Sequence, residues 1–297
     1  MLKWFGSAAI IATVALLVFT LASSRPTGQA GRITVPRMPR AADGHPNLNG
    51  LWQAISSANW DLEDHAARQG PIVALGGAYS VAEGVGVVEG GTIPYRPEAL
   101  AKKKENYEKS LKLLLAAVKE GAGPHLAEKD YHTLDPEIPC YLPGVPRATY
   151  MPYPFQIIQS PETVFIAYEY DNASRIIRMN STEKAPAESW MGWSRGRWEE
   201  ETLVVDVTSL SEETWFDRVG NFHSDALHVV ERYTPVDRDH LNYEATIEDP
   251  KVFTRPWKIH MPLYRRIEKG AQLGEYLCVE FASELLYGQY SKKPPSQ

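Results

Sequence analysis

Phe155-Gln156-Ile157-Ile158-Gln159, then Ser160-Pro161-Glu162-Thr163, then Val164-Phe165-Ile166-Ala167-Tyr168-Glu169-Tyr170 is the stretch that decides the fold class. Two runs rich in Ile, Val, Phe and Tyr suit a pleated surface, and the Ser-Pro-Glu-Thr segment between them is a turn. Downstream the pattern repeats. Arg175 to Met179 reads as the next strand, followed by a loop through Ala185-Pro186. Trp190 to Trp198 reads as a strand broken at Arg195-Gly196, and Glu199-Glu200-Glu201 turns into Thr202 to Thr208. Leu227 to Thr234 and His240 to Ile247 form a further hairpin across Pro235 to Asp239, and Tyr276 to Phe281 is a late strand. Short strands with regular turn signals predict a mainly β domain, an antiparallel meander closing as a barrel or stacking as a sandwich.

Upstream the pattern changes. Pro97 can open a helix, and Leu100, Tyr107, Leu111, Leu114, Leu115 and Val118 recur at helical spacing up to Gly121, which can cap the end. One inserted amphipathic helix is therefore expected near 97–120, with Lys102, Lys103, Lys104, Lys109 and Lys112 on its solvated face. Residues 124–154 are dense in Pro and aromatics and read as ordered but irregular, and 70–95 as loop or weak strand. Residues 25–46, rich in Arg, Pro and Gly, read as a linker. A single β-rich domain is expected over 47–290.

The N-terminus carries its own signal. After Lys3 no charged residue occurs until Arg25, and Ala8 to Leu21 is an apolar run ending near Ala22-Ser23-Ser24. This matches a secretory signal peptide over 1–24, with cleavage near Ser24 or after Ala30. The uncharged stretch is also long enough to span a bilayer, which takes about 20 residues, so an uncleaved anchor over residues 4–24 is the rival, less favoured reading. Arg25, Arg32, Arg37 and Arg40 after the span would favour a cytoplasmic C-terminal side in that case. The expected location is periplasmic or secreted, or anchored in the membrane through this segment alone. Cys140 and Cys278 suit an oxidising compartment as a pair, or a core as two buried thiols.

The totals narrow the function. A chain of 297 residues, 43% hydrophobic and 23% charged, is an ordinary globular protein able to bury a core without metal. Its 31 basic and 37 acidic residues give a net charge of −6, without the basic surplus of a nucleic-acid binder. No Gly-x-Ser-x-Gly elbow, phosphate-binding Gly loop or paired-Cys zinc or haem motif occurs, which disfavours Ser and Cys hydrolases, NTPases and Rossmann oxidoreductases. No cofactor is expected.

Two resemblances add to this reading. Asn47-Leu48-Asn49-Gly50-Leu51-Trp52 resembles the Gly-x-Trp opening of lipocalin-like barrels, which implies a calycin-type closure. Cys140-Tyr141-Leu142-Pro143-Gly144-Val145-Pro146-Arg147, Trp198 to Asp206, His223 to Tyr233, Thr246 to Pro250 and Arg255-Pro256-Trp257 resemble an uncharacterised family of exported bacterial proteins. That family supplies no reaction. Its members usually have Gly-Asp at the place of Glu200-Glu201, and often an Asp-Gly-Arg turn where this chain has Asn180-Ser181. A bacterial source would leave the sequons at Asn172 and Asn180 without meaning as glycosylation sites.

Polar chemistry concentrates between Trp215 and Arg232, in Asp217, Asn221, His223, Asp225, His228, Glu231 and Arg232. If one strand runs unbroken there, His223, Asp225 and Glu231 share a face and His228 points away. The spacing is not that of a zinc motif, so no metal is expected. His223 with Asp225 as orienting partner reads as an acid–base pair at a barrel mouth. Arg147 and Arg178, with Tyr153, Trp215, His228 and Glu231, read as ligand-binding groups, the arginines facing developing negative charge. Trp190, Trp193, Trp198, Trp215 and Trp257 either wall an apolar pocket or pack the core. The plainer alternatives are hydrogen-bonded histidines at a strand entrance, and arginines, Arg175 among them, in internal salt bridges with Glu169, Asp206 or Glu231.

Together these point to an exported barrel acting on a small, partly apolar organic molecule by non-redox proton transfer, as an isomerase, lyase or hydratase does. A non-catalytic carrier of a hydrophobic ligand, and a membrane-anchored accessory subunit with an envelope protein partner, are the readings of other classes.

Overall fold

The computed structural model describes residues 37–68, 81–120 and 134–279, excepting the side chains of 113–120. The N-terminal apolar segment, the linker up to 36, Gly121, the helix side chains Leu114, Leu115 and Val118, and Glu280-Phe281 of the late strand lie outside the described residues. Among those described, no helix is long and apolar enough to cross a membrane.

Nine strands form one closed barrel: β1 (Gly50–Ala54), β2 (Phe155–Gln159), β3 (Thr163–Tyr168), β4 (Ser174–Met179), β5 (Trp193–Glu199), β6 (Thr202–Thr208), β7 (His228–Pro235), β8 (His240–Glu248) and β9 (Trp257–Arg265). Each pairs with its neighbour in sequence, and β1 closes on β9 through Trp52–Arg265, Gln53–Tyr264 and Ala54–Leu263. Closure removes the exposed strand edges that would otherwise template association. Alternation then sends every second side chain inward: Val164, Ile166 and Tyr168 on β3, and Val229, Glu231 and Tyr233 on β7, are buried while their neighbours are not. Interior positions of eight strands, with Trp198 of β5 packed against them, join one core, so side chains fill most of the barrel interior.

Several expectations need correction. The sheet is mixed, because β4 and β5 run parallel with Ile177 opposite Ser194. The segment 180–192 carries the chain back to the end where β4 began. Arg195-Gly196 does not break β5. Gly196 faces inward, and a Cβ there would lie 2.5 Å from Met179 Sδ and 2.7 Å from Ile177 Cγ2, so the glycine makes room for its neighbours. Strand β9 has no counterpart in the sequence reading, because Pro262 interrupts its pattern. Tyr276 makes a single parallel bridge to Tyr170 in place of a late strand. Residues 39–46 of the expected linker form a bridged turn, with His45 stacked on Trp198 at 4.7 Å.

Several turn residues take left-handed backbone conformations. Glu200 and Asn180 both take positive φ, 53° and 54°. Glycine enters that region without cost and asparagine tolerates it, whereas glutamate is an uncommon occupant. Asp171 and Asn172, at φ 48° and 50°, close the β3–β4 hairpin as the paired left-handed residues of a two-residue turn.

Short turns close one end of the barrel at 160–162, 200–201 and 236–239. The other end receives the long connections 209–227 and 249–256, the segments 56–68 and 81–95, and two helices, α1 (Pro97–Glu120) and α2 (Arg147–Tyr150). Helix α1 fits its expected bounds. All four residues of α2 are buried, and Thr149 reaches the barrel interior, 3.5 Å from the Tyr233 hydroxyl.

Cys140 and Cys278 are joined in a disulfide that ties this cap to the segment after β9, across 138 residues of chain. A cross-link over so long a loop removes much of the freedom of the unfolded chain. Cys278→Ser should therefore lower the unfolding free energy by about 2–5 kcal/mol. Urea unfolding of both proteins under non-reducing conditions checks this, and equal midpoints would contradict it.

Candidate functional site

Strand parity places charge inside the barrel. Arg175, the first inward residue of β4, lies opposite Ile166, and Glu231 lies inward on β7 opposite Ala245. Their side chains meet across the interior at 2.7 Å, with exposures of 2% and 0%. Tyrosines fence the pair. Arg175 Nη2 donates to the Tyr233 hydroxyl at 3.0 Å, and the hydroxyls of Tyr233 and Tyr243 donate to Glu231 Oε1 at 3.0 and 2.8 Å. Burial alone would lower the Arg175 pKa, but Glu231 outweighs it and holds the guanidinium charged. Burial pushes Tyr168, Tyr233 and Tyr243 up, so their phenols remain protonated donors. Glu231, expected to bind a ligand, thus has its carboxylate engaged by its own barrel.

A second network holds the cap together. Arg147, expected to face a ligand, is 1% exposed. It grips Asp135 through two nitrogens at 2.7 and 3.0 Å, and reaches Glu137 at 2.9 Å and Asn59 at 2.8 Å. Arg218 closes on Glu137 with a second fork at 2.7 and 2.6 Å. Burial would raise Glu137, yet Arg218 and Arg147 bring its pKa down to about 2. Asp217, fully buried, accepts N–H bonds from Leu62, Val219 and Asn221. Burial and the nearby Asp61 nevertheless push its carboxyl up to about 7.

His223 and Asp225 do not form the expected dyad. The strand begins only at His228, so the parity that would align them does not operate. His223 is 2% exposed, its Nδ1 lies 2.9 Å from the Ser224 carbonyl and its Nε2 2.6 Å from Thr214 Oγ1. The carbonyl can only accept, so Nδ1 carries the proton and Nε2 accepts from the threonine. Burial lowers its pKa to about 4. Asp225 is exposed and pairs with Lys251, which lowers its pKa.

The remaining expected residues scatter. His228 points outward, as parity requires, and lies 2.7 Å from Asp206 and 3.3 Å from Glu248; burial would lower its pKa, but the two carboxylates raise it. Arg178 stacks on Trp193 at 3.6 Å on the outer surface. Tyr153 packs on Tyr276 and Tyr170, and Trp215 is buried in the cap. The tryptophans share no pocket: Trp190 packs on Tyr141, Trp198 on His45, and Trp257 on Phe216 and Phe253.

An open groove of about 440 Å3 lies elsewhere, on the outer face of β8 and β9. Its origin is Pro262. Pairing of β1 with β9 stops at Leu263, and the next neighbour on that side joins only at His260, where Val87 accepts its N–H. Pro262 has no N–H to offer, so the chain leaves the sheet at Ile55-Ser56 and a gap opens over Met261-Pro262. Val87, Val236, Leu241, Met261 and Pro262 give it apolar walls. The side chains of Asn242 and His260 also line it and make no hydrogen bond among the described residues, and His240 bonds only through Nδ1, to Asp237. Ile55 and Val236, 72% and 66% exposed, extend the apolar surface beside it. Asn242 and His260 were missed because an isolated polar residue on an outward strand position looks like ordinary solvated surface.

No protein-family model and no curated protein matches this chain.

His223 gives a pH signature. Its folded pKa of about 4 lies below the ordinary 6.5, so its contribution is complete above about pH 6.5 and is lost as pH falls toward 4. Asp217 acts in the opposite sense, because its raised pKa removes stability as pH rises toward 7. The difference between wild type and His223→Gln isolates the histidine. Wild type should lose on the order of 3 kcal/mol more than the variant between pH 7 and 4. Parallel stability–pH curves from chemical denaturation would contradict this.

Proposed function

We propose that this protein is an exported, periplasmic or secreted β-barrel that binds a small, partly apolar organic molecule in the groove on the outer face of β8 and β9. The groove carries the reading: about 440 Å3 with mainly apolar walls, and with the side chains of Asn242 and His260 and Nε2 of His240 making no hydrogen bond among the described residues. That size lies within the usual range of ligand pockets, and a few polar groups on apolar walls fix orientation there. The disulfide supports export, since such cross-links persist in oxidising compartments, and so does the N-terminal apolar segment after Lys3. Acid–base turnover by His223 and Asp225 would require both to face one substrate. They are held apart by Thr214, Ser224 and Lys251, so binding without turnover is the reading the geometry supports best.

An amphiphilic naphthalene-sulfonate dye should gain fluorescence on binding wild type. Ser56→Phe, which fills the groove from its rim, should weaken that binding at least tenfold while leaving the unfolding midpoint in place. Equal dye affinity in the two proteins would sink the assignment. The export half is tested by the mass of the protein from its own envelope fraction, expected to begin after residue 24 or 30.

One observation favours a second reading, the accessory subunit. Ile158, Phe165 and Ile176 stand side by side on the outer face of β2, β3 and β4, with Ile158 and Ile176 49% and 46% exposed. An apolar row of this kind suits a protein partner. On that reading, Ile176→Lys shifts the native envelope protein from a higher-mass assembly to the mass of the free chain.

A further inference from the structure

The barrel interior holds several buried polar atoms without a well-aligned hydrogen bond among the described residues, most of them donors. Arg175 uses Nη2 for Glu231 and Tyr233, yet its Nε and Nη1 have no hydrogen-bond partner among the described residues. The hydroxyls of Tyr168 and Ser194, and Glu231 Oε2, are likewise buried without a well-aligned hydrogen bond among the described residues, although Tyr168 lies close to Thr149 and Arg175. Arg175, Tyr168 and Ser194 are 4%, 3% and 1% exposed, so bulk water does not reach them.

Register brings them together. Tyr168 on β3 and Arg175 on β4 face inward from paired strands, with Ile166 opposite Arg175. Ser194 on β5 lies opposite Ile177, the inward residue that follows Arg175. Three neighbouring strands thus aim a guanidinium edge and two hydroxyls into one part of the interior. Leaving a buried donor unmade costs about 1–3 kcal/mol, and more for a charged group. Four such atoms on adjoining strands call for a partner that packing does not supply.

We propose that the barrel encloses a binding site for a neutral oxygen acceptor, held by Arg175 Nε and Nη1 with the hydroxyls of Tyr168 and Ser194. Neutrality follows from charge. Glu231 already balances Arg175, so an anion would add an uncompensated negative charge beside a buried carboxylate, which the low-dielectric interior penalises heavily. A neutral oxygen has lone pairs for two of these donors, and the hydroxyls, which accept as well as donate, can take up the others. Two sources supply that chemistry: an ordered water, or the hydroxyl or carbonyl oxygen of a small uncharged organic compound. The site is separate from the outer groove and stands whether or not the groove binds a ligand.

The test is a high-resolution crystal structure of the full chain, with native mass spectrometry of the same sample and denaturant unfolding of Tyr168→Phe. A compact density peak within hydrogen-bond distance of Arg175 Nη1 supports the site with water as its occupant. An extended peak, matched by a mass increment on the native protein, supports the organic source. Tyr168→Phe should raise the unfolding equilibrium constant roughly threefold to tenfold, because a used hydroxyl is lost. If that hydroxyl has no partner, its removal leaves stability unchanged or increases it. Absence of any peak, with Arg175 Nε and Nη1 bonded to protein oxygens, overturns the proposal, and so does a Tyr168→Phe variant at least as stable as wild type.

Discussion

The contact between Arg175 and Glu231 is the constraint around which the barrel is arranged. Two opposite charges lie in the centre of a closed sheet, and neither can reach bulk water. Such a pair survives only where its remaining valences are met, because the desolvation of each ion costs several kcal/mol. Tyr233 and Tyr243 meet part of that demand from β7 and β8, and Thr149 stands beside Tyr233 from helix α2. The cap is therefore tied to the interior: α2 must be seated for Thr149 to arrive, and the forked bonds of Arg147 to Asp135 seat it. Slipping one strand by a single residue would turn Arg175 or Glu231 outward and strand its partner, so the ion pair also selects the register.

Closure on β9 shapes the outer surface in the same way. Three residue pairs join β1 to β9, and Pro262 stops the seam there. Below it the chain returns through Val87 and Val88, which re-cover β9 at His260 and Ile259. The gap between these contacts is a groove because a strand residue without an N–H sits at its floor. Barrel interior and groove thus divide two roles, the inside holding charge in fixed geometry and the outside presenting apolar surface with free imidazole and amide groups.

Much of this was legible from residue order. Parity alone separates Glu231 from His228, and the alternation of Arg175 with Ile177 and Met179 sets the arginine among inward residues. The hairpins at Ser160–Thr163 and Pro235–Asp239 and the helix over 97–120 follow from turn chemistry and period, and the Gly50-Leu51-Trp52 start of the barrel from its resemblance to the Gly-x-Trp opening of lipocalin-like barrels. What escaped the sequence depended on distance along the chain. Asp225 finds Lys251 and Arg218 finds Glu137 because loops fold over one barrel end, and no local pattern encodes that approach. The parallel step from β4 to β5 escaped because a meander of short strands gives no sign of which connection crosses over. Gly196 looked like a breaker, although it serves the packing of Met179 and Ile177.

The most direct test of the central pair is a double-mutant cycle of Arg175→Met and Glu231→Leu, read by denaturant unfolding. Each single change leaves one charge buried without its counter-ion and should cost about 3–5 kcal/mol. The double variant, with no buried charge, should recover most of that loss, giving a coupling energy of about 2 kcal/mol or more. Additive losses would contradict the account, because they would mean that the two residues contribute independently and that no ion pair organises the barrel.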